Sequence, residues 1–232
     1  MNMFRFLQVK RRARNISWWN TLFWWTAVPA FLQAIGVLLY RLRMHGRDNL
    51  PRTGPVLIVA NHQSNFDPML VGIALRDRPS RGIGRASLLN SMILGYLLRR
   101  YRVIPIRRGQ MDMVAIRAAI EELEQGRCVA IFPEGTRSED GELKEFKRGW
   151  WVILERTGAD VLPVAIDGAF DVWPINRPMR FRGWIELEVG EPISGQSLLD
   201  MKAERGVVVL RDRIGELRGR CRARIAVRSG NG

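Results

Sequence analysis

The sequence predicts an α/β fold in which a mixed, mostly parallel sheet is flanked by helices and preceded by an N-terminal helical membrane-anchoring segment. Three observations predict it. From residue 56 onward, short β-branched apolar runs alternate with amphipathic stretches of helical period, which is typical of layered α/β folds. Before them, residues 16–40 form an uncharged, tryptophan-rich run between two basic clusters. The 232 residues are enough for one such domain with an extension.

The N-terminal segment, residues 1–45, is predicted to meet a membrane. Eighteen of the 25 residues in 16–40 are apolar, a length that would let a helix span a bilayer. However, Pro29 would break or kink that helix, and tryptophans favour the headgroup boundary. Basic residues flank both ends, which suits both ends lying on one side. We therefore favour a re-entrant, monotopic anchor at the cytoplasmic face of the inner (cell) membrane over a single spanning helix, and both over a hairpin buried in a soluble core.

Composition narrows the class of protein. Hydrophobic residues make up 47% and charged residues 26%, which argues against a disordered, collagen-like or polytopic membrane chain. The two cysteines, Cys128 and Cys221, are in no CxxC or Cys/His cluster, so neither a disulfide framework nor a structural zinc site is expected. The net charge of +14 requires an anionic partner. The anionic partner could be nucleic acid, an anionic membrane or a phosphorylated substrate. The tryptophan-rich run favours the membrane over nucleic acid.

The predicted strands belong to an α/β domain over residues 46–232. Val56–Ala60 is short, apolar and β-branched, and it follows Gly54 and Pro55, as buried strands do. Pro105 confines its strand to an edge or a bulge because proline cannot donate to a ladder. The predicted strands are residues 56–60, 103–106, 128–132, 161–166 and 181–189.

The predicted helices lie between these strands. Asp67 and Pro68 suit the N-cap and the first position of a helix. Another helix has an apolar face between a cap at Asp112 and a stop at Gly126. The last dozen residues, rich in arginine and then glycine, are expected to fray. Helices are predicted from residue 67, over residues 87–99, between residues 112 and 126, and over residues 149–157 and 197–217.

The first candidate site follows the first buried strand. The chain has two histidines, His45 and His62, and a general base at neutral pH is most often a histidine. His62 directly follows Val56–Ala60 and Asn61, where α/β folds place reacting groups. Asp67 can turn back to accept from Nδ1, which leaves Nε2 as a base. Alternatively, Asp67 only caps its helix and His62 bonds the backbone. His45 has no carboxylate motif around it.

No serine or cysteine nucleophile lies in a recognisable elbow, and a GxSxG motif is absent. A His62–Asp67 pair therefore indicates direct deprotonation of an external hydroxyl rather than a covalent enzyme intermediate.

The second candidate site follows the strand predicted at residues 128–132. Gly135 lets backbone amides approach a ligand, Thr136 offers a hydroxyl, and the Arg137 fork suits phosphate oxygens. Glu134 can position Arg137 or a substrate hydroxyl. Alternatively, this segment is a surface turn with an internal Glu–Arg pair.

Two basic pairs are further cationic candidates. Arg107 and Arg108 follow the strand predicted at residues 103–106, and Lys147 and Arg148 precede the helix predicted at residues 149–157. Each pair either binds an anionic group or is a solvated basic turn.

The two sites together resemble the glycerol-3-phosphate/1-acylglycerol-3-phosphate acyltransferase family. The likeness rests on the Asn-His-Gln-Ser of residues 61–64 with Asp67, and on the Phe-Pro-Glu-Gly-Thr-Arg-Ser of residues 132–138. Either motif by itself is weak, but the two in this order and spacing are highly specific. The likeness runs from about residue 46 to residue 192. It includes residues 46–51 and residues 161–165, which are similar to the fourth motif of the family.

The resemblance implies an O-acyltransferase that needs no metal and no cofactor. In that family the histidine is the general base on the acceptor hydroxyl and the aspartate orients it, and these roles fall on His62 and Asp67. The acceptor would be the lysophospholipid 1-acylglycerol-3-phosphate, and the product phosphatidic acid. The donor thioester would be acyl-CoA or acyl-carrier protein. Residues 161–165 match the motif often linked to the acyl donor.

The resemblance also implies where the acceptor phosphate binds. The family uses the Glu-Gly-Thr-Arg segment and an arginine of its second motif. The latter is Arg108, with Arg107 as the other choice, because Arg102 stands where many members carry glycine. The implied substrate-binding residues are Arg108, Glu134, Gly135, Thr136, Arg137 and Lys147.

Two alternatives to this function stay open. The same chemistry could act on another lysolipid, such as a lyso-ornithine lipid, in which case removing the Arg137 guanidinium would be a modest defect. A non-catalytic basic protein that binds a membrane or nucleic acid would show steep salt dependence and no need for His62. The chain has no recognisable nucleic-acid module, so a nucleic-acid partner is not expected.

Overall fold

The computed structural model describes residues 26–75, 78, 80–86, 92, 95, 96, 99, 103–106 and 113–230. In these residues the helices are α1 (Val28–Tyr40), α2 (Asp67–Ala74), α3 (Met113–Glu124), α4 (Gly149–Thr157), α5 (Ala169–Val172), α6 (Gly195–Leu199) and α7 (Lys202–Ser229). The strands are β1 (Arg43–His45), β2 (Val56–Ala60), β3 (Ser80–Arg85), β4 (Ile104–Ile106), β5 (Cys128–Ile131), β6 (Asp160–Asp167) and β7 (Glu186–Val189).

The strands form one sheet in the order β1-β7-β6-β2-β5-β3-β4. Every neighbouring pair is parallel except β6 with β7, which is antiparallel. This confirms the predicted mixed, mostly parallel sheet. Pro105 lies in β4 at one edge of the sheet, where its missing N–H costs no ladder hydrogen bond. β1 pairs with β7, so the sheet includes residues 43–45.

The core has two layers because β2 is buried on both faces. Val56, Ile58 and Ala60 pack with α1, α2 and α5, while Leu57 and Val59 pack with α3, α4, α6 and α7. Such an all-apolar run is what a central parallel strand requires. The helices predicted from residue 67, between residues 112 and 126 and over residues 149–157 are confirmed. Of the helix predicted over residues 87–99, the structure describes residues 92, 95, 96 and 99, which are helical, and the cap predicted at Asp112 lies outside the described residues.

Two element predictions near the C-terminus are wrong. The strand predicted over residues 181–189 contains only β7, because residues 181–185 form a loop. The helix predicted over residues 197–217 is two helices, α6 and α7, and α7 runs to Ser229 where fraying was expected. The reason for the second error is packing, since the arginines of α7 pair with carboxylates on the sheet that no local pattern reveals.

The N-cap assignment at the start of α2 is also wrong. Asp67 is the first helical residue, and Phe66 occupies the cap position without a side-chain hydrogen bond. The Asp67 carboxylate instead turns back toward the preceding loop. Pro68 is the second helical residue and not, as was predicted, the first, but it still lies in the first turn, where proline is tolerated.

The described part of the N-terminal segment contains β1 and, before it, α1, which begins next to Pro29 and ends at Tyr40. Pro29 is in the first turn, where proline fits a helix. Phe31 and Leu38 are 65% and 79% exposed. No helix in the described residues is long and apolar enough to cross a membrane. The four tryptophans and the first basic cluster, within residues 1–25, lie outside the described residues.

Candidate active site

The site forms where parallel strands β2 and β5 end side by side. Val59 of β2 is in register with Ile131 of β5, so the loops that follow them meet. The first loop is also fixed to β6. Asn61 accepts from the N–H of Ile166 at 2.8 Å and donates to its carbonyl at 2.9 Å, and Gln63 donates to that carbonyl at 2.6 Å. These buried amides hold the chain on both sides of His62.

The structure brings His62 and Asp67 together. Nδ1 of His62 lies 2.8 Å from Oδ2 of Asp67. The same Oδ2 accepts from the backbone N–H groups of Gln63 and Ser64, both at 2.6 Å. The Asp67 side chain is fully buried, and the His62 ring stacks on Phe132 with 4.2 Å between centroids. The imidazole is therefore held on one nitrogen and on one face.

The other ring nitrogen is available for chemistry. In the described part of the chain, Nε2 of His62 has no hydrogen-bond partner, and the side chain is 17% exposed. A proton held on Nδ1 toward the carboxylate makes Nε2 the acceptor. Oδ1 of Asp67 is buried and has no hydrogen-bond partner in the described residues. The arrangement can thus take a proton from a hydroxyl placed beside Nε2.

Glu134 joins the two loops. Its Oε1 accepts from the backbone N–H of His62 at 2.7 Å, and its Oε2 accepts from that of Lys144 at 3.3 Å. The residue is only 3% exposed. Burial raises its pKa to about 7, against the lowering effect of the two backbone hydrogen bonds. In this structure Glu134 binds backbone, and its predicted contact with substrate stays a prediction.

Arg137 lies beside the first loop. Its Nη1 donates to Oδ1 of Asn65, and Asn65 in turn donates to the carbonyls of Trp173 and Pro174. The next residue, Ser138, donates its backbone N–H to the carbonyl of His62 at 2.8 Å. The guanidinium of Arg137 is therefore positioned next to the His62 loop. The internal Glu–Arg pair that the sequence left open is not formed, because Glu134 binds backbone instead.

Gly135 and Lys147 are in contact. Gly135 has φ +72°, and a Cβ there would lie 2.9 Å from Nζ of Lys147. The Lys147 ammonium thus lies over the exposed Gly135 backbone, next to the half-buried Thr136. The two cationic side chains predicted for this loop, Arg137 and Lys147, both lie at this turn.

Sequence reasoning missed two groups that hold the site. Lys144 donates its side chain to the carbonyl of Arg137 at 3.3 Å, as well as its N–H to Glu134. Asn61 and Gln63 tie the first loop to β6. The position of Asn61 directly after a buried strand was a usable signal, whereas nothing local marks Lys144.

Other predicted residues lie elsewhere. Arg108, with Arg107 and Arg102, lies outside the described residues. Residues 161–165 are buried within β6, so their link to the acyl donor stays a prediction. His45 is in β1, and its Nε2 lies 2.8 Å from Oε2 of the fully buried Glu186. The carboxylate partner of His45 thus comes from 141 residues away and not from a motif around it in sequence.

No group of His, Cys, Asp and Glu suited to holding a metal ion occurs in the described ranges.

Comparisons with known proteins match this geometry. The family model described as acyltransferase matches residues 41–167. The chloroplastic 1-acyl-sn-glycerol-3-phosphate acyltransferase LPAT1 of Arabidopsis thaliana is 29% identical over 67% of this chain and 44% of its own length. The 1-acyl-sn-glycerol-3-phosphate acyltransferase of Bacillus subtilis is 26% identical over 66% of this chain and 73% of its own length. The match spans less than half the length of several such curated relatives.

A solved structure is similar over most of the chain. The crystal structure of the 1-acyl-sn-glycerophosphate (LPA) acyltransferase PlsC from Thermotoga maritima superposes with a TM-score of 0.70 at 26% identity. The match covers 90% of this chain and 87% of that one.

Proposed function

Because the chain belongs to the acyltransferase family, we propose that it moves a fatty acyl group from a thioester donor to the free hydroxyl of 1-acylglycerol-3-phosphate. The donor is acyl-CoA or acyl-carrier protein, and the product is phosphatidic acid. The names of the similar proteins support this acceptor. The observation that carries the proposal is the 2.8 Å contact between His62 and Asp67 beside the loop that holds Arg137.

His62 is the general base of the proposed reaction. Its Nε2 removes the hydroxyl proton as the oxygen attacks the thioester carbonyl. The tetrahedral intermediate then expels the thiolate with cleavage of the C–S bond, and the proton on Nε2 passes to the sulfur. The Asp67 carboxylate stabilises the imidazolium formed in between. General-base catalysis of this kind contributes about 10²–10⁴-fold in rate.

Arg137 and Lys147 bind the acceptor phosphate. A guanidinium offers a planar, charge-assisted pair of donors, and an ammonium adds a second positive charge. Arg137 lies on the turn that follows β5, and the Lys147 ammonium contacts Gly135 of that turn. The turn is hydrogen-bonded to the carbonyl of His62 through Ser138. The phosphate site is thereby held next to the base.

A membrane-facing surface suits a lipid acceptor. Phe31 and Leu38 of α1 are largely exposed, as is Phe181, which lies between Arg180 and Arg182. A backbone hydrogen bond links α1 to the loop that carries Phe181, since the N–H of Gly183 donates to the carbonyl of Leu39 at 3.3 Å. Exposed apolar side chains flanked by arginines favour an anionic lipid surface. We place the protein on the cytoplasmic face of the cell membrane by this surface.

Thiol release tests the function directly. Acyl-CoA and acyl-carrier protein are supplied separately with 1-acylglycerol-3-phosphate in detergent micelles, to wild type and to His62→Ala. The matched control is His45→Gln, which alters the other histidine of the chain. Wild type and the control should release thiol only when acceptor is present, and His62→Ala should lose about 10²-fold or more.

Three results would count against the proposal. If the wild type released no thiol with either donor, this acceptor would be ruled out, and other lysolipids would then be supplied. Equal rates of wild type and His62→Ala would rule out the base. Thiol release without acceptor would indicate hydrolysis instead of transfer.

A further inference from the structure

We propose that two arginines of α7, Arg211 and Arg218, position the loop that binds the acceptor phosphate. This loop is residues 134–144, from Glu134 to Lys144, and it is called the acceptor loop below. The inference rests on the proposed function for the identity of the acceptor. Its structural part, that α7 holds the acceptor loop in place, does not depend on it.

Arg218 connects three segments of the chain. Its Nη2 donates to the carbonyl of Gly141 at 2.6 Å, and its Nη1 to Oε2 of Glu142 at 2.9 Å. Its Nε donates to Oδ1 of Asp167, at the end of β6, at 2.9 Å. The side chain is only 8% exposed. One desolvated guanidinium therefore fixes the acceptor loop to both α7 and the sheet.

Arg211 holds the same loop at its other end. Its Nε donates to the carbonyl of Lys144 at 3.3 Å, and its Nη2 to that of Leu143 at 3.4 Å. Arg211 and Arg218 are seven residues apart, which is about two helical turns, so they lie on one face of α7. Together they bind the backbone of residues 141, 143 and 144.

One of the held residues, Lys144, contacts the site directly. Lys144 donates its N–H to Oε2 of Glu134 and its ammonium to the carbonyl of Arg137. A shift of Lys144 would therefore move the turn that carries Arg137. The His62–Asp67 pair has its own support, because Asp67 accepts from the N–H groups of Gln63 and Ser64. Loss of the arginine contacts should thus weaken acceptor binding more than the chemical step.

The test uses Arg211→Ala and Arg218→Lys in the full chain. Arg218→Lys keeps the charge beside Asp167 but removes the fork that reaches Gly141 and Glu142. Arg220→Ala is the matched control, since Arg220 is on the same helix and pairs with Glu188 of β7, away from the loop. Steady-state rates give kcat and the KM of acceptor and donor separately. Hydrogen exchange at the Lys144 amide is measured in the same proteins.

The expected result is an acceptor KM raised about tenfold to a hundredfold in both loop variants, since displacement of a positioning contact has effects of this size. The kcat, the donor KM and all constants of the control should stay close to wild type. The Lys144 amide should exchange faster in the two loop variants only. A purely structural role would instead lower the active fraction, and hence kcat, with exchange raised throughout α7.

Two results would overturn the inference. One is unchanged exchange at Lys144 in both loop variants. The other is a fall in kcat with an unchanged acceptor KM. If the wild type does not use 1-acylglycerol-3-phosphate, the proposed function fails, and exchange at Lys144 still decides whether α7 holds the loop.

Discussion

Asp67→Asn separates the two tasks of the Asp67 carboxylate. Oδ2 supports the imidazole of His62, and it also accepts from the backbone N–H groups of Gln63 and Ser64 at 2.6 Å. An asparagine oxygen at the same position keeps all three donors and so keeps the tautomer of His62. Its amide nitrogen would occupy the place of Oδ1, which accepts no hydrogen bond in the described residues. What is lost is the negative charge that stabilises the imidazolium.

The size of the loss follows from that charge. A hydrogen bond to a charged group contributes about 1.5–3 kcal/mol, against about 1 kcal/mol for a neutral one. The difference is on the order of 0.5–2 kcal/mol, and about 1.4 kcal/mol is tenfold in rate. We therefore expect kcat of Asp67→Asn to fall about two- to thirtyfold. Asp67→Ala should differ, because it leaves two buried N–H groups unpaired at about 1–3 kcal/mol of folding stability each.

The assay is thiol release at saturating acceptor, with urea unfolding of the same proteins. Asp67→Asn should unfold near the wild-type midpoint and turn over slowly, while Asp67→Ala should lose stability and activity together. Wild-type kcat in Asp67→Asn would refute the role of the charge. A loss as large as that of His62→Ala would refute the argument that the shared oxygen preserves the tautomer.

Three further predictions concern residues around the site and the core. The pKa of Glu134 is raised from its ordinary value to about 7, so the folded state keeps a proton that the unfolded chain releases. The free energy of unfolding should therefore fall by about 3 kcal/mol as pH rises from about 4.5 to above 7, and Glu134→Gln should flatten this dependence in urea titrations. An equal pH dependence of the unfolding free energy in wild type and Glu134→Gln would contradict this prediction. Gly206→Ala places a Cβ 2.4 Å from the ring of buried Trp151, and it should lower stability by about 1–3 kcal/mol. A urea midpoint equal to that of wild type would show that α7 can move away from Trp151 without loss of stability. Gly135→Ala combines positive φ with contact to Lys147, and should cost about 1–2 kcal/mol and raise the acceptor KM. A KM equal to wild type would show that Lys147 does not bind the acceptor.

Elements whose structure is determined by a local sequence pattern were predicted correctly. Val56–Ala60 is apolar at every position because β2 is buried on both faces, and the strand was predicted with its observed bounds. The same holds for α4, Gly149–Thr157. The contact between His62 and Asp67 was also accessible, since a five-residue spacing across a tight loop brings the two side chains together.

Contacts between residues that are far apart in the chain were not predicted from the sequence. The last dozen residues were expected to fray, yet Arg224 and Arg228 within them, and Arg218 shortly before them, pair with carboxylates on β6 and β7. The local sequence could not show these ion pairs, because the carboxylates that pair with the three arginines lie 36 to 51 residues earlier in the chain. Lys144 and its contact with Glu134 were missed for a different reason, since the contact uses a backbone N–H that any residue would offer.

These distant contacts give the two halves of the site different main supports. The base half is tied to β6 through Asn61 and Gln63, and its carboxylate is held by N–H groups of its own loop. The acceptor half is tied to α7 through Arg218. Glu134 is a carboxylate that binds both halves, with one oxygen on each. Variants of the base half should therefore act on kcat and variants of the acceptor half on KM. Glu134→Gln keeps an oxygen for only one of the two N–H groups, so it should change both constants at once.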